Sequence, residues 1–242
     1  MAGFSYFSDR SMATVQEKKE GTTVKKIILT TVLLSTSFLM GTLTVHADDL
    51  SGKSTAKIGL TKQDPDHPVG PIDPLDPDDN PSSNQPTGNT GDLRIDYISN
   101  IDFGTQMISG KTETYQATAP ANMVEAQISD LRGTGAGWNL QVSYDPAQSG
   151  FSSADQTLKG AELTLPVGQT KTVADSQSAA PATNEITVND DAQNIMSAVK
   201  DTGLGTWADE MTTSQVKLKV PSGNLAGAYT ATLVWTLTDA PA

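Results

Sequence analysis

Apolar and polar residues alternate with a period of two through most of the second half of the chain. From Tyr229 to Thr238, Tyr229, Ala231, Leu233, Trp235 and Leu237 fall on one face, and Thr230, Thr232, Val234, Thr236 and Thr238 on the other. The same spacing predicts strands over 93–97 (LRIDY), 123–129 (MVEAQIS), 138–144 (WNLQVSY), 159–165, 184–188 and 214–220. In the last of these, Val216, Leu218 and Val220 oppose Lys217 and Lys219. Gly, Asn, Pro and Ser punctuate the runs, as in GTGAG at 133–137 and PSGN at 221–224. Residues 190–200 (DDAQNIMSAVK) break the alternation. Asn189 or Asp190 offers an N-cap and Gly203 a stop, so a short helix is predicted there. Seven strands and one short helix predict an all-β fold, an antiparallel β-sandwich, over residues 92–242.

The first half reads differently. Lys25 and Lys26 precede the apolar stretch Ile27 to Val45, which ends in Val45-His46-Ala47 before Asp48 and Asp49. A basic start, an apolar run and a small-residue exit predict a signal peptide over 24–47, cleaved between Ala47 and Asp48. A retained membrane anchor is the alternative, and the run's Ser and Thr content favours cleavage. Residues 1–23 carry no pattern of their own. They fall outside the translated protein if Val24 is the initiator, read from a GTG codon; Met12 is another candidate start.

Two pieces separate this leader from the sandwich. Residues 48–63 form a short arm in which Ala56, Ile58 and Leu60 share a face, too little to bury a core alone. Residues 64–91 hold seven of the 13 prolines and six aspartates. Proline blocks helix and sheet hydrogen bonding and the aspartates repel one another, so a disordered, extended spacer is expected, reaching roughly 85 Å. Asp73 to Asn84 has the acidic look of a calcium loop but lacks its turn glycine and closing glutamate, which leaves a solvated linker as the better account.

Charge and composition then narrow the function. The chain carries 16 basic and 28 acidic residues, a net of −12, and the part from Asp48 onward a net of −14. Nucleic acids and anionic membranes reward basic clusters, so neither is an expected partner once the signal is removed. Cysteine is absent, which excludes disulfides, thiolate metal sites and a cysteine nucleophile. The only histidine after Ala47 is His67, in the spacer. A Ser-His-Asp triad or a histidine-ligated metal in the domain is excluded with it, and no cofactor or metal is expected. A pair of catalytic carboxylates stays open, since acids are numerous. Arg94, Asp96 and Glu162 alternate with apolar residues, however, which predicts a solvated face. LPVG at 165–168 shares only its first two residues with a sorting signal and is internal, so covalent wall anchoring is not expected.

Two Trp-x-Leu triplets remain. Trp138 and Leu140 follow the Gly-rich turn, on a face shared with Val142 and Tyr144; Trp235 and Leu237 lie in the last strand. Their order and flanks, LRIDYISNIDFGTQMIS, SDLRGTGAGWNLQVS, GTWADE and AGAYTATLVWTLTDAP, resemble the WxL-domain family of surface proteins from low-GC Gram-positive bacteria, over about residues 93–242. The resemblance implies a secreted protein, not an enzyme, held at the cell wall without a covalent bond through peptidoglycan. It also implies companion cell-surface proteins, which leaves a structural or adhesive subunit of a multi-protein complex as the alternative function, with residues 53–62 available for strand addition. The family signature falls on Trp138, Leu140, Trp235 and Leu237. On their apolar stripes the two tryptophans are either core residues or glycan contacts. Trp207, expected in a loop, is a further candidate contact.

Overall fold

The computed structural model describes residues 54–62, 64, 66, 86–120, 122–154 and 156–239. Ala56–Ala242 forms one compact unit; of the other, Met1–Thr55, only residues 54 and 55 are described. The expected signal peptide, its Ala47–Asp48 junction, His67 and most of the spacer lie outside the described residues.

Twelve strands follow one another in the described residues. They are β1 (Leu93–Ile98), β2 (Glu113–Gln116), β3 (Met123–Asp130), β4 (Trp138–Tyr144), β5 (Glu162–Leu165), β6 (Gln169–Thr172), β7 (Ala182–Thr183), β8 (Ile186–Thr187), β9 (Gln193–Ala198), β10 (Gly205–Thr212), β11 (Lys217–Val220) and β12 (Leu233–Thr238). Three four-stranded sheets result, in the orders β1-β3-β10-β6, β12-β4-β9-β7 and β2-β11-β5-β8. Every pair of neighbouring strands is antiparallel. The first two sheets pack as a sandwich, with β12 beside β1 at one side and β7 beside β6 at the other. The third extends the same core through Leu163, Leu165, Ile186 and Leu218. The β-sandwich expected from the alternation is therefore the observed fold.

β4 shows the alternation plainly. Trp138, Leu140, Val142 and Tyr144 are buried, while Asn139, Gln141 and Ser143 are half-buried. Its neighbour is β12, as the matching stripes predict: Leu237 pairs with Leu140 and Trp235 with Val142.

The helix predicted at 190–200 is not there; the segment contains β9, and among the described residues the one helical piece is a single 3-10 turn at Thr213–Gln215. Ala192, Ile195, Met196 and Val199 have the i, i+3, i+4, i+7 spacing of a helix face, which is what misleads. The physical cause is a β-bulge. Leu140 pairs with Met196 and Gln141 with Asn194, so Ile195 is the extra residue and both Ile195 and Met196 turn inward, fully buried. Pairing with β4 and β7 on both sides then overrides weak local preference.

A second bulge overturns the expected solvated face at Arg94 and Asp96. Ile95 pairs with Ile128 and Tyr97 with Gln127, leaving Asp96 as the inserted residue. Both charged side chains are buried, with Arg94 Nε donating to Asp96 Oδ1 at 2.7 Å. Ser129 Oγ donates to Asp96 Oδ2 at 2.6 Å and lies 2.8 Å from Thr206 Oγ1, which links β1, β3 and β10. Glu162 is exposed as expected, paired with Lys219 across β5 and β11 at 3.1 Å.

Candidate functional site

The two signature strands lie side by side, yet their tryptophans have different surroundings. Trp138 is wholly buried, and its indole Nε1 donates to the Gly203 carbonyl at 3.1 Å. Glycine is required on both sides of it. A Cβ on Gly203 would sit 2.5 Å from Ala198 Cβ and 3.0 Å from the indole nitrogen. One on Gly137 would sit 2.4 Å from the Ala198 carbonyl oxygen. The loop between β3 and β4 is pinned by Arg132, which donates to both Asp130 oxygens and, at 2.8 Å, to the Gly137 carbonyl. The Gly-rich flank of the first triplet thus exists to seat Trp138 in the core. Leu140 is equally buried.

Trp235 and Leu237 are only half-buried, because among the described residues β12 is an edge strand with β4 as its single neighbour. Trp207 is the correction among the candidates. It lies in β10 rather than in a loop, is 5% exposed, and its indole donates to the Leu204 carbonyl at 2.9 Å. A side chain enclosed in this way presents no face to a ligand. GTWADEMT misled because polar residues surround its tryptophan, whereas both faces of β10 are buried.

A groove of about 1360 Å³ opens beside β12, between residues 98–109 and the segment 221–232. Phe103, Tyr115, Phe151, Tyr229 and Trp235 line it. The phenols are fixed: Tyr115 donates to the Met107 carbonyl at 3.4 Å, and Tyr229 lies 3.0 Å from Gln156 Oε1 and 2.9 Å from the Leu225 carbonyl. Phe151 stands edge-on to Tyr144, tying the groove wall to the core. Asn224 closes the 221–224 turn through the Pro221 and Lys159 carbonyls. Among the described residues Asp102 is the only carboxylate in the lining and Lys111 the only cation. One carboxylate does not make the acid–base pair that glycoside hydrolysis uses. Among the described residues no three acidic or histidine side chains gather as a metal site. Sequence reading missed this groove because Phe103, Tyr115 and Phe151 come from three segments far in sequence from the Tyr229–Trp235 run.

One buried acid stands apart from it. Asp209, on β10, is fully enclosed, and neither carboxylate oxygen has a hydrogen-bond partner. Gly168 of the LPVG segment lies directly over it, where a Cβ would come within 1.8 Å of Asp209 Oδ1. Burial first, and then the neighbouring Glu210 carboxylate, push its pKa up to about 7.

The fold is thus an all-β sandwich with an open groove lined by aromatic rings, a surface suited to binding. The chain matches the model of the WxL domain, described as a surface cell wall-binding domain, over residues 47–241, and it belongs to that family. The match is wider than the Trp-x-Leu strands and takes in the arm and the spacer. A search of curated proteins and one of solved structures each return no match. The protein is a cell-surface protein of the cell wall.

Proposed function

We propose that the domain holds the protein to the wall non-covalently, by binding peptidoglycan in the groove beside β12. The observation that carries this reading is the convergence of four half-buried aromatic rings, Tyr115, Phe151, Tyr229 and Trp235, on one open surface backed by the buried Phe103. A glycan strand presents apolar ring faces and hydroxyl groups, which aromatic faces and a polar rim complement. Tyr115 and Tyr229, half-buried with their hydroxyls fixed, are the contacts this reading favours; Trp235 forms the inner wall behind them. Trp138 and Leu140 act by shaping the sheet that carries Trp235.

Electrostatics sets the test. A net of −14 from Asp48 onward opposes a wall rich in anionic polymer, so attraction rests on contact rather than on bulk charge. Tyr115→Ala and Tyr229→Ala are expected to release the protein from sacculi stripped of teichoic acid while melting close to the parent. Binding by the parent should not weaken between low and physiological salt. A steep fall with salt, or full binding by the double variant, overturns the reading. A companion surface protein is a second reading, favoured by the exposed Met107, Ile108 and Leu225 on the groove's rim.

A further inference from the structure

The sandwich is open along one side. β12 pairs only with β4, and among the described residues no hydrogen bond reaches its outer edge. The Thr232 carbonyl accepts from Asp145 on the β4 side. By the antiparallel alternation, the backbone groups of Leu233, Trp235 and Leu237 therefore point outward along the free edge. Beneath that edge the two sheets do not close. A second cavity of about 400 Å³ lies between Trp235–Leu237 and Leu93–Ile95, and meets the larger groove at Trp235. An unpaired edge above an open gap, lined by Leu93, Ile95, Trp235 and Leu237 on its apolar side and by Asn89, Thr90 and Gly91 on the other, is the shape left by a missing strand.

The chain carries a segment that fits. In residues 54–62, Ile58 and Leu60 are 87% and 88% exposed and sit at strand spacing with Ala56, and the segment forms no strand of its own. Residues 53–62 contain three lysines and no acid, whereas residues 92–242 carry eight basic and 17 acidic residues. Lys62 already pairs with Asp92, at the start of β1, at 3.4 Å. That partly solvent-exposed ion pair is a weak tether, and Ile58 and Leu60 stay out of the cleft beside it. Direction explains why. Asp92 precedes Leu93, which pairs with Asp130, and Arg132 on Asp130 also feels the Asp239 carboxylate just past β12, so an arm held at Asp92 would start from the Leu237 end and run parallel to β12, in a fold whose described strand pairs are all antiparallel. The arm of another molecule has no such tether.

We infer that residues 53–62 of one molecule add as a strand to the free edge of β12 in a second copy, with Ile58 and Leu60 filling the gap between β12 and β1. Main-chain hydrogen bonds supply the attachment, and the alternating apolar side chains supply the register. The association uses the β12 edge and passes Trp235, which the groove shares, but it is argued from the open edge and the exposed arm and does not rest on the peptidoglycan reading.

Sedimentation of the protein beginning at Asp48 should show concentration-dependent self-association. Ile58→Asp with Leu60→Asp should abolish it at unchanged melting temperature, since both side chains are exposed. A peptide of residues 53–62 should bind this variant, whose edge is free. The chain has no cysteine, so a mixture of two single variants reports the contact directly. Thr236→Cys in one and Lys57→Cys, Gly59→Cys or Thr61→Cys in the other should give mixed disulfides in excess over either homodimer. A monomer at every concentration, association that survives the aspartate variant, or a statistical mixture of disulfides overturns the inference. Peptide binding alongside a strictly monomeric parent also overturns it, by showing that the arm fills its own edge.

Discussion

Replacing Trp138 by alanine tests the division of labour between the two signature tryptophans. Trp138 is fully enclosed, packed against Gly203 and Ala198, with its indole nitrogen bonded to the Gly203 carbonyl. Truncating a buried tryptophan costs about 3–5 kcal/mol in lost burial and cavity formation. Leaving a buried carbonyl without its donor adds about 1–3 kcal/mol. A domain of this size has about 5–15 kcal/mol in all, so Trp138→Ala removes a large share of it. At about 3 °C per kcal/mol, the melting temperature should fall by at least ~10 °C. Trp235 is half-buried on an edge strand, so Trp235→Ala should cost about half as much, near 2 kcal/mol. Thermal unfolding and sacculus binding are measured on the same samples of both variants. Trp138→Ala should lose binding in proportion to the fraction unfolded. A Trp138→Ala protein that melts with the parent and yet fails to bind would refute the core assignment and make the indole a ligand contact.

Two further outcomes are expected. Asp209, with a folded pKa near 7 against an ordinary value of 3.8, keeps its proton in the folded state after the unfolded chain has lost it. Its contribution therefore favours folding below about pH 4, declines as pH rises to about 7 and is level above that, a change on the order of 4 kcal/mol. Asp209→Asn should remove this component, so that denaturant titrations from pH 4 to 8 show the variant gaining stability over the parent as pH rises; parallel curves contradict it. Intact mass of secreted protein should give an N-terminus of Asp48-Asp49-Leu50-Ser51, and a product retaining Ile27 to Val45 rules out the expected cleavage.

The sandwich was legible wherever one face of a strand is buried and the other is not. β4 alternates because Asn139, Gln141 and Ser143 face away from the core, and its stripe matched that of β12 before any pairing was known. Where a bulge inserts a residue, the period of two breaks and the local pattern misreports. Ile195 turned a strand into an apparent helix, and the insertion at Asp96 hid a buried ion pair behind an apparent surface alternation. Where both faces of a strand are buried, as in β10, polarity no longer signals exposure, and Trp207 was placed in a loop. The sequence by itself determined the class of fold, the two Trp-x-Leu strands and the absence of thiol and domain histidine chemistry, because these depend on composition and on local period. Tertiary structure decided which tryptophan is core and which stands at an open edge, because burial depends on how many neighbours a strand has in its sheet. It also decided where the groove lies, since Phe103, Tyr115 and Phe151 are distant in the chain from Tyr229 and Trp235 and meet them only when the sheets pack.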